Sequence, residues 1–193
     1  AQSTSVAGVA QRTGATIYYV ELIDPTPDHS PVMAQMPVPG DVDVLIAAEL
    51  MEAGRAVQRG FVTPDRTTVI TSSHRTYAVQ EKMTPGNGVA DSAAVLDIVK
   101  NSARQLVIDD MQALAVSRGS VISASLFGAL AGSGALPFSQ AEFEAVVERS
   151  GVGVKPSLAA LRAAALVAQR SAPPPPPADP MLTDARALPE RAA

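Results

Sequence analysis

The sequence predicts an α/β protein of three layers, a mainly parallel sheet held between helices. Two observations carry that expectation. Short β-branched or wholly apolar runs alternate with helix-length segments whose apolar residues recur every three or four positions. In addition, 47% of the 193 residues are hydrophobic while aromatics are only 4%, so the apolar content is mostly Ala, Val and Leu. Small aliphatic side chains suit helices packed closely on a buried sheet better than they suit an aromatic-rich β-sandwich.

The elements follow in chain order. Thr16–Ile23, "TIYYVELI", is β-branched and aromatic enough for a strand. Asp24–Gly40 holds five prolines, which bars helix and central strand alike and leaves a connection over the surface. Val42–Glu49, "VDVLIAAE", is a continuous apolar run after a turn, expected as a strand buried on both faces. Leu50–Arg59 continues as a short helix ended by Gly60. Thr67–Ser73, "TTVITSS", is a further strand, and Met83–Gly88, "MTPGNG", a turn-rich loop. Asp91 then stands where it can cap a helix over Ser92–Ser102, with Val95, Ile98 and Val99 on its buried side. Within "RQLVIDD", Leu106–Asp109 is the third buried strand.

The remainder is helical. Met111–Val116 is short, and Val121–Ala131 is rich in small residues. Ser139 with Glu142 three positions on is a capping box, followed by Phe143, Val146 and Val147 on one face and closed by Gly151. Ser157–Gln169 is amphipathic through Leu158, Leu161 and Ala165. Residues 1–170 thus form the α/β domain, and 171–193, opening on Pro173–Pro177, is expected as a disordered proline-rich linker in extended form. An α/β domain ordinarily opens with a buried strand and its helix. Neither is visible before Thr16, so the sequence is expected to be an N-terminally incomplete domain.

Composition removes several functions. The net charge of −4 offers no basic face to a phosphate backbone, which argues against nucleic acid. Without cysteine the chain cannot by itself hold an iron–sulfur cluster or a cysteine-built zinc site, and its two histidines, His29 and His74, form no HExxH pair. The absence of disulfides fits the cytoplasm. Gly119–Ala141 is free of charge and contains "GALAG", a spacing also used between membrane helices. Pro137 and the serines at 120, 123, 125, 133 and 139 interrupt it, so it is expected as a tightly packed protein helix and not a membrane span.

Four groups of residues are candidates for chemistry. Gln11, Arg12, Thr13 and Gly14 set a forked cation beside a flexible glycine just before a strand, suited to a carboxylate or phosphate, or to pinning a loop. Glu49 ends a strand where ligands of open α/β sheets gather; it is either a general base or the cap of the next helix. His74 and Arg75 follow the next strand after Ser72 and Ser73. A serine–histidine nucleophile pair is not expected, because neighbours in the chain are not placed to fold back onto one another, and no GxSxG elbow is present. Asn87, in "PGNG", precedes a helix and offers backbone amides to an anion, although no complete phosphate loop matches.

Taken together, "QSTSVAGVAQRTGATIYYVEL", "DVDVLIAAELMEAGRAVQRGFV", "TTVITSSHRTYAVQEKMTPGNG" and "SASLFGALAGSGALPF" resemble the beta subunit of indolepyruvate ferredoxin oxidoreductases, the gamma-type domain of the 2-oxoacid:acceptor oxidoreductases. The resemblance runs from Ala1 to about Gln169. It implies a Rossmann-like domain lacking its first, glycine-rich strand and helix. It also implies a hetero-oligomer that oxidatively decarboxylates an aryl 2-oxoacid to its acyl-CoA, using thiamine diphosphate and passing electrons to ferredoxin. Thiamine diphosphate and the iron–sulfur clusters are implied on a thiamine-binding large subunit or fused region, with no cofactor, metal or catalytic residue in this chain. Gln11–Gly14 is the segment the resemblance turns toward that partner. Two rival readings are a self-contained nucleotide-binding α/β enzyme, which would need the missing phosphate loop, and a purely structural interaction scaffold.

Overall fold

A computed structural model of the chain describes residues 1–6, 17–23, 32–77, 81, 83, 85 and 88–171. β1 (Gln2–Val6) and β2 (Ile17–Glu21) come first, paired antiparallel as a ribbon with Gln2 opposite Glu21 and Val6 opposite Ile17. The sequence reading, which found no buried strand and helix before Thr16, did not single out β1, a strand of an antiparallel ribbon outside the parallel sheet. Its residues, QSTSV, carry no apolar alternation, and only backbone pairing with β2 makes them a strand.

The main sheet is three-stranded and parallel, in the order β3 (Val44–Ala47), β4 (Thr68–Ser72), β5 (Gln105–Asp109). Helix α1 (Leu50–Gln58) connects β3 to β4, and α2 (Ser92–Ser102) lies between β4 and β5. Beyond β5 run α3 (Met111–Ser117), α4 (Ile122–Ser133), α5 (Gln140–Ser150) and α6 (Val154–Ser171). The pleat sends alternate residues to opposite layers. Val69 and Ala47 pack with Ala53, Ala56 and Val99 of α1 and α2, whereas Ile70 and Val107 pack with Met111, Leu126, Leu130 and Leu161 of the later helices. The three-layer α/β architecture expected from the sequence is therefore the one observed.

Only β4 is buried at every position. β3, expected to be covered on both faces, is an edge strand among the described residues, and Ile46 is 44% exposed. The later helices lie over β4 and β5 and meet β3 at Val44, which leaves Ile46 uncovered. Two helical side chains also depart from expectation. Ile98 is exposed and Val99 carries the buried contact of α2; Val146 is exposed, while Phe143 and Val147, four apart, turn inward. Gly60 and Gly151 follow their helices with φ of 75° and 69°, the left-handed geometry a glycine adopts without strain.

Helix α4 is the best-buried helix after β5, and its glycines explain why. A Cβ on Gly128 would stand 2.1 Å from the carbonyl oxygen of Leu161, and one on Gly132 would stand 2.3 Å from that of Ala165. The "GALAG" stretch is thus the face on which α6 lies directly against α4 backbone. Among the described residues no single helix is long and apolar enough to cross a membrane; α3 and α4 reach that length only together and meet at 112°. Helix α6 extends through Ser171, and the proline-rich stretch after it lies outside the described residues.

Candidate functional site at the carboxyl edge of the sheet

Parallel strands deliver their C-terminal residues to one edge, where open α/β sheets bind ligands. Here β3 delivers Glu49, β4 delivers Ser72, His74 and Arg75, and β5 delivers Asp109 and Asp110. The edge is knit by backbone: the amide of Leu50 donates to the carbonyl of His74 at 3.3 Å, and that of Ser73 to Asp109 at 2.9 Å.

Glu49 takes the capping role. Its carboxylate accepts from the amides of Met51 at 3.1 Å and Glu52 at 3.0 Å, which satisfies two orphan donors at the start of α1. The Thr71 hydroxyl reaches its carbonyl at 3.4 Å, tying the cap to β4.

Arg75 is turned inward. Its guanidinium pairs with Glu81 and donates to the Ala90 carbonyl at 2.5 Å and the Ser92 hydroxyl at 2.9 Å. Both charged side chains are only 10% exposed, and the guanidinium carbon lies 5.3 Å from the centre of the Tyr77 ring. The Glu81 carboxylate also accepts from the Ala90 amide at 3.0 Å. Arg75 thereby fastens the end of β4 to the start of α2, and its charge is committed to Glu81.

The serine–histidine expectation is corrected. Ser72 and His74, two apart, do meet: the His74 Nδ1 lies 2.7 Å from the Ser72 Oγ. The strand ends at Ser72, and the bend at Ser73 lets the ring fold back. Ser72 is fully buried, and its Oγ also accepts from the Met111 amide at 3.0 Å, so it is a structural hub and no exposed nucleophile. Asp109 and Asp110 were not singled out from sequence. Asp110 caps α3 through the Ala113 amide at 2.8 Å, and Asp109 accepts from the Asp110 amide at 2.7 Å. The signal was present, since an acidic residue directly before an apolar helical run is a cap signature.

Gln11, Arg12, Thr13, Gly14 and Asn87 lie outside the described residues. The helix that follows the Asn87 loop begins with Asp91 accepting from the Ala93 amide at 2.9 Å, so a carboxylate already holds its first turn. Away from this edge, Met51, Gly54, Arg55, Gln58, Val95 and Ile98 line a shallow groove of about 140 Å³ between α1 and α2. None of Glu49, His74 and Arg75 lines it.

Across residues 1–167 the chain matches the family model for pyruvate ferredoxin/flavodoxin oxidoreductase. The chain belongs to that family. No curated protein and no solved structure matches it. Pyruvate ferredoxin/flavodoxin oxidoreductases are 2-oxoacid oxidoreductases that work as multi-subunit or multi-domain complexes with ferredoxin acceptors, so this chain is a component of such a complex. The donor set of the chain itself does not fit an iron–sulfur cluster. It has no thiolate, and among the described residues no three of His, Asp and Glu are grouped as metal ligands.

Proposed function

We propose that this chain is the non-cofactor-binding part, beta-subunit-like, of an indolepyruvate or related aryl 2-oxoacid:ferredoxin oxidoreductase in the cytoplasm. The observation that carries the reading is the family match over residues 1–167. The thiamine diphosphate, the clusters and the transfer of the acyl group to coenzyme A belong to a thiamine-binding subunit or fused region. This domain completes the assembly beside it.

The chemistry of the sheet edge supports that division of labour. Glu49, Asp109 and Asp110 are carboxylates, and the guanidinium of Arg75 is committed to Glu81. An anionic 2-oxoacid gains little from such an edge, because like charges at short range disfavour its carboxylate. Gln11–Arg12–Thr13–Gly14 is the segment assigned to the partner or substrate, with Arg12 as the fork for a carboxylate or phosphate. Co-purification with a thiamine-binding chain and an assay of indolepyruvate-dependent dye reduction test the proposal. The assembled enzyme is expected to turn over and the isolated chain to be inactive; turnover by the isolated chain overturns it. Arg12→Lys in the assembled enzyme is expected to lower association or turnover several-fold, since Lys cannot reproduce the fork. Its melting curve should shift by no more than about 1 kcal/mol of stability.

A further inference from the structure

We propose that the paired amino termini of α4 and α6 form a binding site for a phosphate group, with Ser125 as its buried donor. The site is independent of the proposed function.

Helices α4 and α6 run side by side in the same direction. Gly128 meets Leu161 and Gly132 meets Ala165, so both chains advance together along the contact. At its start the hydroxyls of Ser120 and Ser157 stand 3.3 Å apart, which sets the two first turns next to each other. Each first turn leaves amides without an intrahelical acceptor, Ile122 and Ser123 in α4, Val154 and Lys155 in α6. The positive ends of the two helix dipoles therefore add at one place.

The other helices have their amino termini covered. α1, α2 and α3 begin under Glu49, Asp91 and Asp110, and α5 under its capping box. α4 follows Val121 with no side-chain cap, and α6 follows Gly153, which has no side chain to offer. Neither 118–125 nor 151–161 contains an acidic residue, while Arg118 and Lys155 are exposed at the two entrances. Glu144 and Glu148 of α5 are drawn to Arg162, about two turns further along α6.

Ser125 supplies the observation that points to a ligand. It is fully buried, and among the described residues its Oγ has no hydrogen-bond partner. It precedes Gly128 and Gly132 at helical spacing and so lies on the α4 face that meets α6. Helical side chains lean toward the amino terminus, which directs its hydroxyl at the opening between the two first turns. Ser120 and Ser157 flank that opening. Their 3.3 Å separation is longer than an ordinary O–H···O bond, so each retains a proton for a ligand. Hydroxyls, amides and cations converging from both helices suit the tetrahedral oxygens of phosphate, whereas a planar carboxylate leaves most of them unused.

The test follows amide resonances of the full chain as inorganic phosphate is added at constant ionic strength, with chloride and acetate as controls. Saturable shifts centred on Ile122, Ser123, Val154 and Lys155 are expected with phosphate alone. No saturable response there, or an equal one to acetate, overturns the proposal. Methyl phosphate separates the two sources of the group. Binding as tight as that of inorganic phosphate assigns the site to the phosphate of a larger molecule, and much weaker binding assigns it to the free ion; both results support the site. Ser125→Ala removes the unpartnered hydroxyl. Without phosphate its melting temperature is expected to equal or exceed that of the wild type, while its affinity for phosphate falls about 2- to 10-fold, the worth of one hydrogen bond. A lower melting temperature would reveal a partner within the fold, and that result or an unchanged affinity overturns the role of Ser125. Lys155→Met, at an exposed position, is expected to weaken phosphate binding and flatten its dependence on salt; unchanged binding overturns the placement of the site at α6.

Discussion

Arg75 shows how one residue changes meaning between sequence and structure. In the chain it is a cation at a strand end, and its neighbours invite a ligand role. In the fold its guanidinium is buried against Glu81, the Ala90 carbonyl and the Ser92 hydroxyl. Removing one member of a buried pair leaves the other charged without compensation, which typically costs about 3–5 kcal/mol. Arg75→Met is therefore expected to destabilise the chain by an amount in that range, read from denaturant unfolding. A loss well under 1 kcal/mol would mean that the pair is solvated. Glu49 underwent the milder version of the same change. The alternatives of general base and helix cap were both open in sequence, and the carboxylate is found on the amides of Met51 and Glu52.

At the scale of elements, the crossing of α4 and α6 is the contact least tolerant of change. The α4 surface has no side chain at Gly128 and Gly132, and α6 backbone fills that space. Gly128→Ala places a methyl group against main chain that cannot rotate away, so the helices must separate. Overpacking of this kind costs about 1–3 kcal/mol or more. The gain of about 1 kcal/mol in helix propensity from Gly to Ala only partly offsets it. A lower melting temperature for Gly128→Ala is the expected outcome, and an unchanged or higher one would refute the close approach. The neighbouring α5–α6 contact adds an ion pair to its apolar packing. Glu144 accepts from Arg162 at 2.6 and 3.1 Å and from Gln140 at 2.8 Å. The Arg162 hydrogen bonds, then that of Gln140, hold its carboxyl down at about 2 from an ordinary 4.5. A lowered folded value means the contribution is present in full above about 4.5 and is lost as pH falls toward about 2. Melting temperatures across that window should fall more steeply for wild type than for Glu144→Gln, and parallel curves would count against the pair.

Over the whole molecule, burial is graded from the centre of the sheet outward. β4 is paired on both sides and buried throughout, whereas the β1–β2 ribbon exposes Tyr18 and Val20 at 72% and 57%. A two-stranded ribbon is marginal by itself. In native-state hydrogen exchange, amides of Val69, Ile70 and Thr71 are expected to open only with global unfolding, and those of Tyr18 to Glu21 far sooner. Equal protection of the two would contradict this gradient. In the assembled oxidoreductase the ribbon and the edge strand β3 are where added protection should appear if a partner docks there.

The sequence by itself determined the elements and their class. Periodicity is a local property, so the strands at Val44–Ala47, Thr68–Ser72 and Gln105–Asp109 and the six helices were legible within a few residues. The capping box at Ser139 and Glu142 and the caps at Asp91 and the Gly60 turn were legible for the same reason. β1 was not, because its strand character resides in pairing with β2 and not in its own residues. Of the candidate site, the chain order already placed Glu49, His74 and Arg75 at strand ends. Only the tertiary structure decided what each side chain does there. Whether a charge caps, pairs or faces outward depends on groups up to about forty positions away, such as Met111 beneath Ser72. The same holds for the edge position of β3 and the outward turn of Ile98. An apolar residue records that it can be buried, but the neighbours that cover it come from elsewhere in the chain.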